Sequence, residues 1–179
     1  MAHLLLMGLR GCGKTTLAPP VAARLGLAWR DLDEVTKTRL GARTVAEAWA
    51  KTGEAGFRAA EFDALRDTLA GEEGVLALGG GTLMNNSTRE WFGRYRRARP
   101  VFVAYLRITP GVQRARLAQS GVADRPSLTG RGVLEELDDV FAARDPVYRS
   151  LADEVFECDS LPIERTAELV VSSYGSMLP

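Results

Sequence analysis

Five residues near the start of the chain have the spacing of a phosphate-binding loop: Gly8, Gly11, Gly13, Lys14 and Thr15, within "GLRGCGKTT". They fit G-x-x-x-x-G-K-[ST], between an apolar run read as a strand and a segment read as a helix. In that setting glycine lets the backbone approach a bulky anion. Backbone N–H groups and the helix N-terminus then point at phosphate oxygens. Lys14 adds a positive charge near the β- and γ-phosphates, and the Thr15 hydroxyl is placed to ligate Mg²⁺. The loop is therefore expected to hold a nucleoside triphosphate, ATP. No guanine-selective N-K-x-D stretch accompanies it.

Further groups fit an acceptor for the transferred phosphoryl. Asp31 and Asp33 close a second strand in "DLD", and strand alternation predicts that they share a side. One would sit near a metal and the other would polarise a hydroxyl; the alternative is a helix-capping acid followed by a solvated one. Arg58 and Glu61 are three apart on a helix, as a fixed carboxylate-binding guanidinium or a surface ion pair. Gly79, Gly80 and Gly81 end a buried strand, either pressed against a ligand or forming a loose turn. Arg125, in the Gly- and Pro-punctuated loop 121–132, suits a lid over transferring phosphate. Arg144 and Arg149 flank Pro146. Any of these arginines is equally readable as a solvated charge.

The elements positioning these groups alternate. Strands are expected over 3–8, 27–33, 74–78, 100–108 and 154–159. Helices are expected over 14–26, 44–53, 56–71, 87–98, 110–120, 133–152 and 162–178. This pattern predicts an α/β fold with a parallel sheet covered on both faces. Pro19 and Pro20 fall inside the first helix and are expected to bend or shorten it.

With 179 residues, 46% hydrophobic and 26% charged, the chain is expected to form one domain over 1–179. Twenty-three basic residues balance 23 acidic ones, so no overall charge draws it to nucleic acid or an anionic membrane. The arginines of 93–99 read as a solvated helix end. His3 is the single histidine, which excludes Ser-His-Asp and Cys-His catalysis. Cys12 and Cys158 read as free thiols of a reducing compartment. The apolar start lacks a basic leader and is too short to span a bilayer, so a cytoplasmic protein is expected.

Together, "GLRGCGKTT", "DLD", "TVAEAWAKTGEAGFRAAE", "LGGGTL", "ADRPSLTG" and "ARDPVYR" resemble the shikimate kinase family over nearly the whole chain, nearest its type II branch. The resemblance implies a three-layer α/β/α P-loop kinase fold of the nucleoside-monophosphate-kinase type. It would have a five-stranded parallel sheet, a mobile lid over about 115–131 and an acceptor region over about 31–61. It implies a monomer that takes ATP and shikimate, uses Mg²⁺, and makes shikimate 3-phosphate and ADP in aromatic amino acid biosynthesis.

The implied ATP contacts are Gly11, Cys12, Gly13, Lys14, Thr15, Thr16 and Arg125, with Arg114 (or Arg116) and Pro162 flanking adenine. Thr15 and Asp31 would lie at the metal. Asp33 would hold ring hydroxyls and assist the proton on the 3-hydroxyl. Arg58 and Arg144 would grip the carboxylate, with Glu61 orienting Arg58. Gly79, Gly80 and Gly81 would line the acceptor, and Trp49 and Phe57 would wall it. Lys14, Asp33 and Arg125 would be the catalytic set. The competing readings are another small-molecule P-loop kinase, such as a gluconate kinase, and a non-catalytic ATP-binding regulatory module.

Overall fold

In the computed structural model, which describes residues 2–120 and 134–177, the apolar runs form five strands. These are β1 (His3–Met7), β2 (Ala28–Asp31), β3 (Gly74–Ala77), β4 (Val101–Arg107) and β5 (Glu154–Glu157). They make one sheet in the order β2-β3-β1-β4-β5, with every pairing parallel. The helices are α1 (Lys14–Leu25), α2 (Leu32–Arg39), α3 (Val45–Ala70), α4 (Asn86–Ala98), α5 (Pro110–Ser120), α6 (Leu137–Leu151) and α7 (Ile163–Met177). A parallel sheet needs apolar cover on both faces, and the period of two along β1 supplies it. Leu4 and Leu6 pack with Leu17 and Val21 of α1 and Val170 of α7. Leu5 and Met7 face the other way, onto Leu65 and Leu69 of α3, Phe92 of α4 and Tyr148 of α6. Each such burial is worth about 1.5–3 kcal/mol. The three-layer α/β/α architecture follows.

Two expectations about local structure change. The second strand stops at Asp31, and α2 begins with the next residue. Asp33 therefore lies in the first turn of a helix, not on a strand beside Asp31. Asp31 caps that helix, its carboxylate accepting the Asp33 and Glu34 N–H groups at 2.9 and 3.4 Å. Pro19 and Pro20 do not break α1, which runs unbroken to an αL cap at Gly26. Full burial of Leu17, Ala18 and Val21 outweighs the bonds the prolines omit. Pro146 likewise sits within a continuous α6.

The predicted break between two helices at 53–56 is present: Gly53, at φ 67° and ψ 175°, interrupts α3. That break turns Val45, Ala48 and Phe57 into a small apolar cluster apart from the two cores. Strands β1 and β3 are neighbours whose chains leave in opposite directions, toward β2 and β4. The glycine loops that follow them meet at this switch point, where an open parallel sheet binds ligands. The expected lid lies mostly outside the described residues, Arg125 included. Among the described residues no helix is long and apolar enough to cross a membrane.

Candidate active site

The loop after β1 turns on three glycines at positive φ: Gly8 at 152°, Gly11 at 77° and Gly13 at 103°. At Gly8 a side chain is excluded twice. The angle disfavours it, and a Cβ would lie 2.5 Å from the Leu106 carbonyl oxygen and 2.7 Å from Cys12 Sγ. Lys14 Nζ folds back over the loop and donates to the carbonyls of Gly8 (2.8 Å) and Leu9 (3.0 Å). Its charge is thereby held at the mouth. The first helical backbone bond is Leu17 N–H to Gly13 O at 2.8 Å, so the amides before it lack helical acceptors and define the anion-binding end of α1. The Thr15 hydroxyl donates to Asp31 Oδ2 at 2.6 Å, which joins the start of α1 to the end of β2. Among the described residues there is no cluster of three or more His, Cys, Asp or Glu able to hold a metal. The Thr15–Asp31 oxygen pair nonetheless suits a hard cation that takes its remaining ligands from phosphate and water.

On one flank of the loop the two candidate arginines, Arg114 and Arg116, are placed differently. Arg114 pairs with Asp138 of α6 at 2.8 Å. Arg116 instead reaches the loop: its Nη1 donates to Gly11 O at 3.2 Å and its Nη2 to Cys158 O at 2.8 Å. It thus bridges the phosphate loop to the segment after β5, beside a small cleft lined also by Gly13, Leu161 and Ile163, which bracket Pro162. Cys12 is buried packing. Burial pushes the Cys158 thiol up to about 12, and it donates to Phe156 O at 3.2 Å, so Cys158 is a protonated packing residue.

On the other flank a deeper cleft opens, lined by Asp33, Trp49, Phe57, Arg58, Glu61 and Arg144 among others. The Arg58–Glu61 contact is no surface pair. Glu61 is 2% exposed, and its Oε2 takes Arg58 Nη1 at 2.8 Å while its Oε1 takes the Thr82 hydroxyl at 2.7 Å. The guanidinium is also held over the rings of Trp49 (5.6 Å) and Phe57 (5.7 Å). A bidentate group fixed by a buried carboxylate and two aromatic faces is pre-organised for an anion.

The triple glycine is no loose turn. A Cβ on Gly79 would lie 2.5 Å from Glu61 Oε1 and 2.6 Å from Asp33 Oδ1; one on Gly81 would lie 2.5 Å from Arg58 Nη2. These glycines exist so that charged groups can approach the backbone. Gly80 O accepts from Arg144 Nη1 at 2.6 Å and from the Tyr148 hydroxyl, while Gly80 itself sits against Gly8 and Arg10 of the first loop. Burial pushes Tyr148 up to about 12, so it stays a neutral donor. Tyr148 was missed from the sequence, although it lies one turn beyond Arg144 in "ARDPVYR". Arg149 turns to Asp145 (2.9 Å) and Glu157 instead. Asp145 also takes Tyr105 Oη and Arg107 Nε, each at 2.8 Å, and this pins α6 to β4 next to Arg144.

The structure therefore brings Lys14, Thr15 and Asp31 together at one loop. It brings Asp33, Arg58, Glu61, Arg144 and the three glycines together at an adjoining cleft. Arg114 belongs to neither group.

Comparison with known proteins bears on these two sites together. A family model described as shikimate kinase matches residues 10–174. "Shikimate kinase 2" of Sodalis glossinidius is 38% identical over 175 residues, covering 97% of each chain. "Shikimate kinase" of Rhodopirellula baltica is 41% identical over 153 residues, covering 84% of this chain and 79% of that one. Among solved structures, the shikimate kinase of Acinetobacter baumannii in complex with shikimate superposes with a TM-score of 0.86 at 28% identity, over 98% of this chain and 94% of that one.

Proposed function

Since the chain belongs to the shikimate kinase family, we propose that its paired sites transfer the γ-phosphoryl group of ATP to the 3-hydroxyl of shikimate, giving shikimate 3-phosphate and ADP. The observation that carries this reading is the adjoining cleft. A guanidinium fixed by a buried glutamate faces it together with a second arginine and a carboxylate, beside the phosphate loop. A neutral sugar gives two arginines nothing to pair with, whereas a ring acid does. Gluconate is also an acid, so what weighs against a gluconate kinase is the family match, which extends over both sites. A non-catalytic module has no use for an intact acceptor cleft.

The residue roles follow from position. Lys14 and the amides at the start of α1 hold the β- and γ-phosphates, with Gly11, Cys12, Gly13 and Thr16 shaping the cradle. Arg116 and the Leu161–Ile163 segment flank the base. Arg58 and Arg144 take the carboxylate between Trp49 and Phe57, and Glu61 keeps Arg58 in place. Asp33 accepts hydrogen bonds from ring hydroxyls and takes the proton of the attacking one as the O–P bond forms. Gly80, clamped by Arg144 and Tyr148, keeps the wall between the two substrates thin. Arg125, outside the described residues, is assigned to the lid and to the charge on the transferring group. Thr15 and Asp31 would hold Mg²⁺, which neutralises phosphate charge when bound. Most of the rate then comes from alignment and charge stabilisation in a site shielded from water.

Phosphorus NMR of the product tests this assignment. Incubation with MgATP and shikimate should give one new phosphate monoester, on the 3-hydroxyl, in equal amount to ADP. A monoester on another hydroxyl, or none, would reject it.

A further inference from the structure

Among the described residues two side-chain polar atoms are buried with no hydrogen-bond partner: Trp49 Nε1 and Gln113 Oε1. Both residues line the acceptor cleft. Trp49 is on the arginine side, where an N–H donor adds little to two guanidinium groups. Gln113 is the unusual one. It is 2% exposed, and it enters the cleft from α5, next to Arg10 of the phosphate loop. Its Nε2 donates to Arg10 O at 3.0 Å. That bond fixes the amide's orientation, because a flipped amide would set oxygen against oxygen. Oε1 is therefore left as a buried acceptor without a donor, an arrangement that native proteins seldom keep without a use.

The cleft's other groups show which donor is missing. Arg58 and Arg144 are donors for a carboxylate, and Asp33 is an acceptor for the hydroxyl that loses its proton. An acid with several ring hydroxyls brings further O–H donors away from the carboxylate, and Gln113, a lining residue of the same cleft, carries the unpaired acceptor that such a donor would satisfy as the cleft closes around it. We propose that Gln113 Oε1 accepts a hydrogen bond from a ring hydroxyl of the acceptor other than the one phosphorylated, which makes Gln113 a specificity-determining residue. This rests on the acceptor reading given above.

The test compares kcat/KM for shikimate and for its analogues lacking the 4- or the 5-hydroxyl, in the wild type, Gln113→Met and Gln113→Glu. Methionine keeps the volume but offers neither hydrogen bond; glutamate keeps an acceptor oxygen and loses the amide donor to Arg10. The wild type should discriminate against one of the two analogues. Gln113→Met should shrink that discrimination about tenfold, the worth of one hydrogen bond, with the KM for ATP changed less than about twofold. Gln113→Glu should retain it. Undiminished discrimination in Gln113→Met overturns the proposal. So does equal loss in both variants, which would assign the effect to the Arg10 tether. Failure of the wild type to turn over shikimate would overturn the acceptor reading and this role with it; normal turnover with either of the other results overturns only the role of Gln113.

Discussion

Replacing Gly81 by alanine isolates one contact of the proposed carboxylate site. Gly81 has φ −113° and ψ −6°, a conformation open to any residue, so the substitution carries no backbone strain. The added Cβ would lie 2.5, 2.7 and 2.8 Å from Nη2, Nη1 and Cζ of Arg58. Ordinary non-bonded contact needs about 3.5 Å, so the guanidinium must retreat by about 1 Å. The same retreat loosens the bond to the buried Glu61, so folding should lose up to about 1.5–3 kcal/mol, read separately by urea unfolding. Binding loses a contact as well. A 1 Å displacement forfeits most of one charge-assisted hydrogen bond to the acceptor's carboxylate, about 1.5–3 kcal/mol, or about 10–150-fold in affinity. Steady-state ADP release, with each substrate varied in turn, should show the KM for shikimate raised by that factor and the KM for ATP within about twofold of wild type. An unchanged KM for shikimate in a folded Gly81→Ala protein would refute the placement of the carboxylate at Arg58.

Other expectations are independent of that site. Arg116→Ala should raise the KM for ATP several-fold while Arg114→Ala leaves it near wild type; the reverse would restore Arg114 to the nucleotide site. Gly8→Ala meets a positive φ and the immovable Leu106 carbonyl, so it should cost at least about 2 kcal/mol in urea unfolding; a wild-type midpoint would show the loop to be looser than described. His3 has its pKa lowered, chiefly by burial and further by Arg99, against opposing effects of Leu69 and Glu73. The unfolded chain then binds the proton more readily, so stability is full above the unfolded value of about 6.5 and falls as pH drops below it. The single imidazole should titrate by NMR below 6.5; a midpoint at or above that value would contradict the burial.

The sheet and the phosphate loop were legible because they rest on strong local signals: apolar runs of strand length, and glycines at a fixed spacing before Lys14. The break at Gly53 was legible for the same reason. Helix α2 was not, since "DEVTKTR" has no apolar stripe and several β-branched residues, and only docking onto α3 buries Thr36 and Lys37. Missing that helix put Asp33 on a strand. The choice between Arg114 and Arg116 depends on which face of α5 is docked. A clue was present: Arg116 lies four residues after Val112 and next to Leu117, on the apolar side, whereas Arg114 faces away. The Arg58–Glu61 pair was legible at helix spacing, but the Thr82 hydroxyl that holds Glu61 and the Gly80 carbonyl that holds Arg144 lie 21 and 64 residues away, which no local pattern encodes.

The central claim is that the adjoining cleft selects shikimate as the phosphoryl acceptor. The most direct measurement is ADP release from MgATP with shikimate, with gluconate and with no acceptor, under identical conditions. Release that requires shikimate, with gluconate no better than the blank, is the predicted result. Release that proceeds equally with gluconate, or none with shikimate from a folded protein that binds ATP, would contradict it.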